Sequence, residues 1–472
     1  MNMTAEHIQQ KMTLAREAQR VWRTFSVKQR LQLIKQLRIK VVAASNDWVE
    51  IFAEETNKTP TDTLSGDVFM IAGACKFYEK HAVSMLRPQS KRTPLEFFGQ
   101  TSYVTYDPLG VVLVIAPWNF PLQLSLIPLI SAMIAGNAVI LKPSEHTPRI
   151  NARIEELLLS CGFPQHLVQL IHGDGAVGEM LIDARPDKVF FTGGGFVGQK
   201  VYERAARHMI PCDLELGGND AMIVAADANL ERAAKATVWG AFMNSGQVCI
   251  GVERVYVHRT LYEPFVERVV QLAQQLRQGT SAEHDVGGMS THTGFEKVRS
   301  VVELAVQQGA KVLLGGYRND VQAPYFPPTV LVDVNEQMNV VKEETFGPVL
   351  SIMRVDSEEE AVARINAGRY GLNSYIFSCN LTRARRLAEQ LQTGNCYIND
   401  VITNIGNMHL PFGGVKASGL GRYHGAEGLY TFCNSKSVMV DKGRSNSKFN
   451  WFPYSAKRLS WFQKMLNWLY GR

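Results

Sequence analysis

The chain has 472 residues, 46% of them hydrophobic and 20% charged, with a formal net charge of +6 from 50 basic against 44 acidic side chains. That length predicts two or three domains, and that composition a large packed core rather than a disordered or fibrous chain. A positive excess so mild, without a Lys/Arg block dominating the body, argues against nucleic acid as a partner.

The chain begins with Glu6 and Glu17 interspersed among Arg16, Arg20 and Arg23, and it lacks the apolar core of a signal peptide. An amphipathic helix is predicted there. Val21, Trp22 and Phe25, then Leu31, Leu33, Ile34 and Leu37, recur at helical spacing, so the first ninety residues read as helices. Near 97–107 the alternating TSYVTYD predicts an exposed strand or arm. From 111 onward VVLVIA, NAVILK, HLVQLIHG and KVFFTG read as strands buried on both faces, separated by apolar helical segments at 123–135, 150–159 and 176–182. Such alternation predicts a doubly wound α/β sheet. A second cycle starts near 221, with AMIVA, ERVYVH, KVLLGG and YFPPTVLVDV as strands and helices at 230–241, 261–277 and 295–308. SKSVMVDKG reads as one more exposed strand, and a tail rich in Trp, Phe and Lys follows Arg444. No apolar stretch approaches the roughly 18 residues of a membrane span. The seven cysteines stand singly, with no CxxC pair and no zinc-like Cys/His spacing. Neither a metal nor a disulfide framework is expected, and a reducing, cytoplasmic compartment fits.

Several short segments carry candidate chemistry. In Asn244-Ser245-Gly246-Gln247-Val248-Cys249-Ile250 a thiol lies in a Gly-containing polar loop between packed elements, a setting that brings it to a domain edge. Taken alone, a cysteine is more often a small buried hydrophobe. Leu214-Glu215-Leu216-Gly217-Gly218-Asn219 places a carboxylate between leucines. It is either a solvated strand end or a base whose pKa is raised by desolvation. Asn119, in Pro117-Trp118-Asn119-Phe120-Pro121, follows a buried strand, where open α/β sheets bind ligands; a turn-forming Asn is the plainer reading. Lys142-Pro143-Ser144-Glu145 follows the next strand, and Phe191-Thr192-Gly193-Gly194-Gly195-Phe196-Val197-Gly198 precedes a helix, as a pyrophosphate-binding turn does. No GxGxxG is present, and a glycine run alone is a weak signal. Glu343-Glu344-Thr345-Phe346-Gly347-Pro348 and residues 411–419 complete the set.

In this order the segments resemble the NAD(P)-dependent aldehyde dehydrogenase superfamily, from about residue 10 to about 440. Met408-His409 with Gly421-Arg422-Tyr423-His424-Gly425 is similar to its fatty-aldehyde, broad-specificity dimeric branch. The resemblance implies an α/β fold: a Rossmann-like dinucleotide-binding domain (1–93 and 106–216), a second α/β catalytic domain (217–408), a small β oligomerisation arm (94–105 and 409–445) and an amphipathic tail (446–472). It implies Cys249 as nucleophile, Glu215 as the base that activates the hydrolytic water, and Asn119 as an oxyanion donor alongside the Cys249 N–H. Lys142 and Glu145 would hold the adenine ribose, Gly193 and Gly198 would shape the pyrophosphate loop, and Glu344 and Phe346 would position the nicotinamide ribose and ring. NAD is the implied cofactor, with NADP as the alternative, because Glu145 would repel a 2′-phosphate. The chain departs from the family's Phe-Thr-Gly-Ser-Thr at Gly194 and Gly195, losing a serine hydroxyl.

Val248, Ile250, Phe120, Leu122 and Leu124 flank the reactive positions without an Arg or Lys to clamp a second carboxylate. An apolar aliphatic or aromatic aldehyde is therefore expected over a semialdehyde acid. Glu215 argues against a coenzyme-A-acylating enzyme, and the intact trio Cys249, Glu215 and Asn119 against a silent scaffold. The small-molecule substrate aside, a homodimer or homotetramer is expected. In the tail, Trp461, Phe462, Met465, Leu466, Trp468 and Leu469 share one helical face, with Lys457, Arg458, Lys464 and Arg472 around it. That pattern suits either packing against a subunit or peripheral contact with an anionic membrane.

Overall fold

The computed structural model describes residues 4–318 and 320–471. Arg472, expected among the basic residues of the tail, lies outside the described residues. The chain is a mixed α/β protein. By internal packing, Met1–Arg87 with Tyr106–Asn434 form one compact unit and Pro88–Thr105 with Ser435–Arg472 a second.

Two sheets organise the larger unit. The first runs in the order Gly419–Leu420, Cys212–Glu215, Lys188–Thr192, Val111–Ile115, Ala138–Lys142, Val168–Leu170, all parallel except the added Gly419–Leu420 edge. Val111–Ile115 and Ala138–Lys142 are buried throughout, as continuous Val/Ile/Leu runs require in a sheet covered on both faces. The helix Pro121–Ala135 between them is buried at every position, so its all-round apolar surface never meets water. It stops at Gly136, whose φ of +103° suits glycine, and a Cβ there would meet the Arg30 guanidinium at 2.7 Å. Arg30 in turn donates to the Ile134 carbonyl at 2.9 Å, a cation on the negative end of the helix.

The second sheet runs Lys311–Leu314, Thr329–Val332, Val349–Val355, Val252–His258, Asp220–Val224, Ser374–Phe377, Tyr397–Ile398. Only its Lys311–Leu314 edge is antiparallel. It is wider than the sequence pattern implied: the strands at Val349–Val355, Ser374–Phe377 and Tyr397–Ile398 were not expected. Buried Ser351 and exposed Arg354 break the apolar run of Val349–Val355, and Ser374 leaves only three apolar residues in Ser374–Phe377, which hides these strands from a hydrophobicity reading.

The N-terminal region is helical as expected, over Ala5–Trp22, Val27–Ala43, Ser45–Thr56 and Phe69–Leu86. Trp22, Leu31, Ile34 and Leu37 are buried, whereas Val21 faces solvent. Trp22 anchors the first helix by donating its indole N–H to the Met133 carbonyl at 2.8 Å. Gln89–Lys91 pairs antiparallel with Thr101–Pro108, and Cys433–Val440 completes a three-stranded sheet. The tail forms the helix Ala456–Tyr470, capped by Ser455, and none of its residues is buried.

Candidate active site

The segment that carries Cys249 follows the helix Leu230–Phe242 and holds an uncommon backbone. Asn244, Ser245 and Gly246 take φ of 50°, 54° and 68° in succession. Side chains of this polar type tolerate the left-handed region, and the surroundings fix it. The Asn244 N–H donates to Asp62 Oδ2 at 3.1 Å, Ser245 Oγ donates to the Gly287 carbonyl at 2.7 Å, and Gln247 Oε1 accepts from the Ser290 N–H at 2.9 Å. At Gly246 a Cβ would lie 2.1 Å from the Gly347 carbonyl oxygen, so no other residue fits.

Asn119 is tied to the same loop. Its Nδ2 donates to the Gln247 carbonyl at 3.1 Å, and its own carbonyl accepts from Lys58 Nζ at 2.8 Å and Asn244 Nδ2 at 3.2 Å. Lys58 is fully buried in an ion pair with Asp67 at 2.9 Å, and Asp67 also accepts from the Gln123 N–H. Asp67 lies in a single π-helical turn, Leu64–Val68. Lys58, Asp62 and Asp67 thus hold the asparagine and the cysteine loop in one network. Nothing in their sequence context pointed to it, since each looks like an ordinary charged residue of an N-terminal helical region.

Glu215 ends the strand Cys212–Glu215 and is 5% exposed, and neither of its carboxyl oxygens has a hydrogen-bond partner among the described residues. Burial, then the nearby Asp213, hold its pKa well above the ordinary carboxylate range, with Arg422 opposing. Segment 411–425 closes over it: a Cβ on Gly413 would sit 2.9 Å from Glu215 Oε1, and Gly419 pairs with Glu215 in the sheet. Glu344 accepts from the Gly218 N–H at 3.0 Å, while Glu253 accepts from the N–H groups of Thr345 and Phe346 at 2.8 and 2.9 Å. Burial raises the pKa of Glu253, and burial followed by repulsion from Glu253 raises that of Glu344. Glu253 went unnoticed in the sequence, yet it fixes the loop that presents Glu344 and Phe346, whose φ is 55°. The Phe346 ring meets Trp118 edge-on at 5.6 Å.

Burial, followed by the carboxyl groups of Glu344, Asp220 and Glu215, raises the Cys249 pKa, so the thiol rests protonated. Cys249 lines two cavities at once. One, about 400 Å³, includes Asn119, Glu215, Glu344 and Phe346. The other, about 220 Å³, is walled by Phe120, Leu124, Val248, Ile250, Leu372 and Tyr423 among others. Leu122, expected beside the substrate, is instead fully buried and absent from that wall.

A further cleft of about 560 Å³ adjoins the first cavity at Trp118 and Gly193, along the carboxyl ends of the first sheet's strands, and holds Lys142, Glu145, Gly193 and Gly194. Lys142 Nζ lies 3.4 Å from Glu145 Oε2. Gly194 caps the helix Gly195–Ala206 without a side-chain bond, and a Cβ on Gly194 or Gly195 would meet nothing within 4 Å. The bare N–H groups at that helix start and the open space above them fit a pyrophosphate. Gly198 points elsewhere: a Cβ there would strike Leu216 at 2.4 Å, so its role is close packing of helix on strand.

The sequence matches the aldehyde dehydrogenase family over residues 1–438. The chain belongs to the aldehyde dehydrogenase family. It is 43% identical to a 4,4'-diapolycopene aldehyde oxidase of Methylomonas sp, over 98% of this chain and 87% of the relative. It is 35% identical to a Mycobacterium ulcerans protein named for succinate-semialdehyde dehydrogenase activity with NADP(+), over 92% of this chain and 84% of the other. Among solved structures, an NAD-dependent aldehyde dehydrogenase from Sinorhizobium meliloti superposes with a TM-score of 0.89 at 32% identity, covering 95% of this chain and 89% of its own. An NAD+ complex of a Bacillus cereus aldehyde dehydrogenase gives 0.88 at 31% identity, covering 93% and 89%. Family membership accounts for the parallel sheets.

Proposed function

We propose that the chain oxidises an apolar aliphatic or aromatic aldehyde to the carboxylate with NAD, NADP being the alternative. The observation that carries this reading is Cys249 standing between a cavity that carries Asn119, Lys297 and Glu344 and a second whose wall is nearly all hydrocarbon. Residues 1–93 and 106–216 would bind the dinucleotide, with Lys142 and Glu145 on the ribose, Gly193 in the pyrophosphate turn, and Glu344 and Phe346 at the nicotinamide end. When bound, the nicotinamide supplies a hydride acceptor and a positive charge. Residues 217–408 would supply the nucleophile.

Cys249 gives its proton up to solvent through the open cavity, its sulfur bonds to the aldehyde carbon, and the carbonyl oxygen gains negative charge. One Asn119 N–H is spent on the Gln247 carbonyl; the second, with the Cys249 N–H, receives that charge. Loss of hydride from the thiohemiacetal gives a thioester on Cys249. Water then adds to the acyl carbon while Glu215 takes its proton, the C–S bond breaks, and the sulfur is reprotonated as the carboxylate departs. An ionised Glu215 is needed for that last stage, and its unpartnered carboxyl oxygens leave room for a water. Replacing Cys249 by Ala is expected to abolish aldehyde-dependent formation of reduced cofactor; turnover retained at even a tenth of the native rate overturns the assignment.

The names of the Methylomonas and Mycobacterium relatives represent the two substrate alternatives. The apolar cavity wall contains no Lys or Arg, which favours the apolar aldehyde. Faster turnover of succinate semialdehyde than of hexanal would reverse that choice. A cytoplasmic location accords with seven free cysteines. Homodimers or homotetramers would form through the arm 94–105 and 409–445, whose Cys433–Val440 strand is largely exposed. No helix among the described residues is long and apolar enough to cross a membrane. Peripheral contact through the tail is favoured by seven basic and no acidic residues over 442–472 and by Trp468, 68% exposed. Flotation with anionic vesicles should be lost when Trp461 and Trp468 are replaced by Glu; undiminished flotation removes the membrane contact.

A further inference from the structure

The strand that ends in Glu215 carries a second buried carboxyl. Asp213 lies two residues before Glu215, so the two side chains leave the sheet on the same face. One segment covers both: a Cβ on Gly413 would sit 2.9 Å from Glu215 Oε1, and one on Gly421 would sit 2.5 Å from Asp213 Oδ1. The other oxygen of Asp213 is held from the neighbouring strand. Lys188 Nζ stands 2.9 Å from Asp213 Oδ2, the two side chains being 6% and 7% exposed. Thr431 bridges them, accepting from Lys188 Nζ at 2.7 Å and donating to Asp213 Oδ2 at 2.6 Å. Glu215 has no such partner among the described residues. A buried ion pair adds little net stability over hydrocarbon of the same volume. What this one supplies is fixed charge beside the base. Other titratable groups face Glu215 too: Arg422 from the covering segment, and Cys249, Tyr423, His146, Lys297 and Glu344 from the cavities that Glu215 lines. Arg422 spends its Nη1 on the Gly414 and Gly421 carbonyls, at 2.9 and 2.6 Å.

We propose, resting on the aldehyde-oxidising reading above, that the Lys188–Asp213 pair is the charge regulator of Glu215, with Asp213 opposing and Lys188 favouring the loss of its proton. Both are positioning residues, since neither stands in the wall of a cavity at Cys249. Two carboxyls on one strand face, with protein rather than water between them, resist being ionised together. Asp213 has the cation and the hydroxyl, so it keeps the charge and Glu215 keeps the proton. Burial of Glu215 acts in the same direction. The pair thereby sets the pH at which Glu215 begins to take a proton from water and the thioester begins to be hydrolysed.

The direct readout is the ionisation of Glu215 in the cofactor-free full chain. Infrared spectroscopy follows it as the loss, on raising pH, of the protonated carboxyl C=O stretch, with Glu215→Gln identifying the band. The midpoint should fall by about one pH unit in Asp213→Asn, which leaves Lys188 unopposed. It should fall by about half a unit in the double variant Asp213→Asn, Lys188→Met, which removes both charges. That double variant buries no unpaired cation and carries the test if the single one does not fold. Thr431→Val removes the bridging hydroxyl without altering charge, and its midpoint should stay within about 0.2 units of native. Asp213 variants that stay equally close to native overturn the proposal alone. So does an equal shift in Thr431→Val, which would assign the effect to anchoring of the covering segment. In single-turnover experiments, acyl-enzyme hydrolysis by the native chain should rise through the same midpoint. A rate that stays flat there overturns Glu215 as the base, and with it both the functional reading and the proposal.

Discussion

The two cavities that meet at Cys249 are built on opposite principles. On the side proposed for the cofactor the walls carry Lys297 and the carboxyls of Glu215 and Glu344, and the adjoining cleft adds the Lys142–Glu145 pair and the bare N–H groups at the start of Gly195–Ala206. On the other side they are largely side-chain hydrocarbon, from Phe120 and Leu124 to Val248 and Ile250. Backbone and charge recognise a group of fixed shape that every catalytic cycle reuses. A hydrocarbon wall discriminates weakly between molecules of similar polarity, which suits a substrate defined by class. Cys249 belongs to both and is suited to neither. Half-buried beside three carboxyl groups, its thiol rests protonated, and the proposed reaction needs a positive charge and an oxyanion donor in place before that proton is released.

The sharpest way to break this division is at Glu215, the one carboxyl in both cavities. Replacing it with Gln should cut steady-state turnover by about 10²–10⁴. Formation of reduced cofactor should survive as a burst of one equivalent per site, because only the water step is lost. A Gln variant without a burst would assign Glu215 to acylation instead. Its raised pKa has a defined sign. The base acts only when ionised, so native hydrolysis climbs as pH rises above the usual carboxylate range, and the variant lacks that limb. For stability the direction is opposite. A carboxyl whose pKa is higher in the folded than in the unfolded state contributes fully at pH below its unfolded value, and that contribution is lost as pH rises through the folded one. Glu215→Gln should therefore melt higher than the native chain at alkaline pH.

Asn119→Ala ranks next. Removing one preorganised donor from a developing oxyanion costs about 10²–10³ in kcat, or roughly 2.7–4 kcal/mol. Because Asn119 also donates to the Gln247 carbonyl, an Asp replacement is the useful companion: it keeps shape and abolishes donation. Equal kcat for Asp and native would deny the asparagine any part in receiving charge.

How far such a site is legible in a sequence depends on where its signal lies. The strands Val111–Ile115 and Ala138–Lys142 are readable because burial on both faces forces an unbroken apolar run. Cys249, Glu215 and Asn119 are readable because each sits in a short polar or glycine-bearing break between such runs. Lys58, Asp67 and Glu253 are not readable. Their burial is created by residues up to a hundred positions away, as when Glu253 accepts from the backbone of Thr345 and Phe346. Gly198 shows the same ambiguity: a glycine near a turn serves ligand approach or close packing alike, and its sequence context does not reveal that a Cβ there would meet Leu216.

The smallest expected effect concerns the polar side alone. Glu145 is exposed and stands 3.4 Å from Lys142, so its charge partly cancels the lysine's toward anything bound between them. Replacing Glu145 by Gln removes a carboxylate that accepts from ribose hydroxyls and repels a 2′-phosphate, and it leaves Lys142 to attract one. The ratio of kcat/KM for NADP to that for NAD should rise about five- to tenfold, equivalent to roughly 1–1.4 kcal/mol. Because the interaction is solvent-exposed, the gain should shrink as ionic strength rises. Turnover of hexanal against hexadecanal should be untouched, since nothing on the hydrocarbon side has changed. A shift in that aldehyde ratio would mean that the two cavities are coupled through Cys249 more tightly than their separate walls imply.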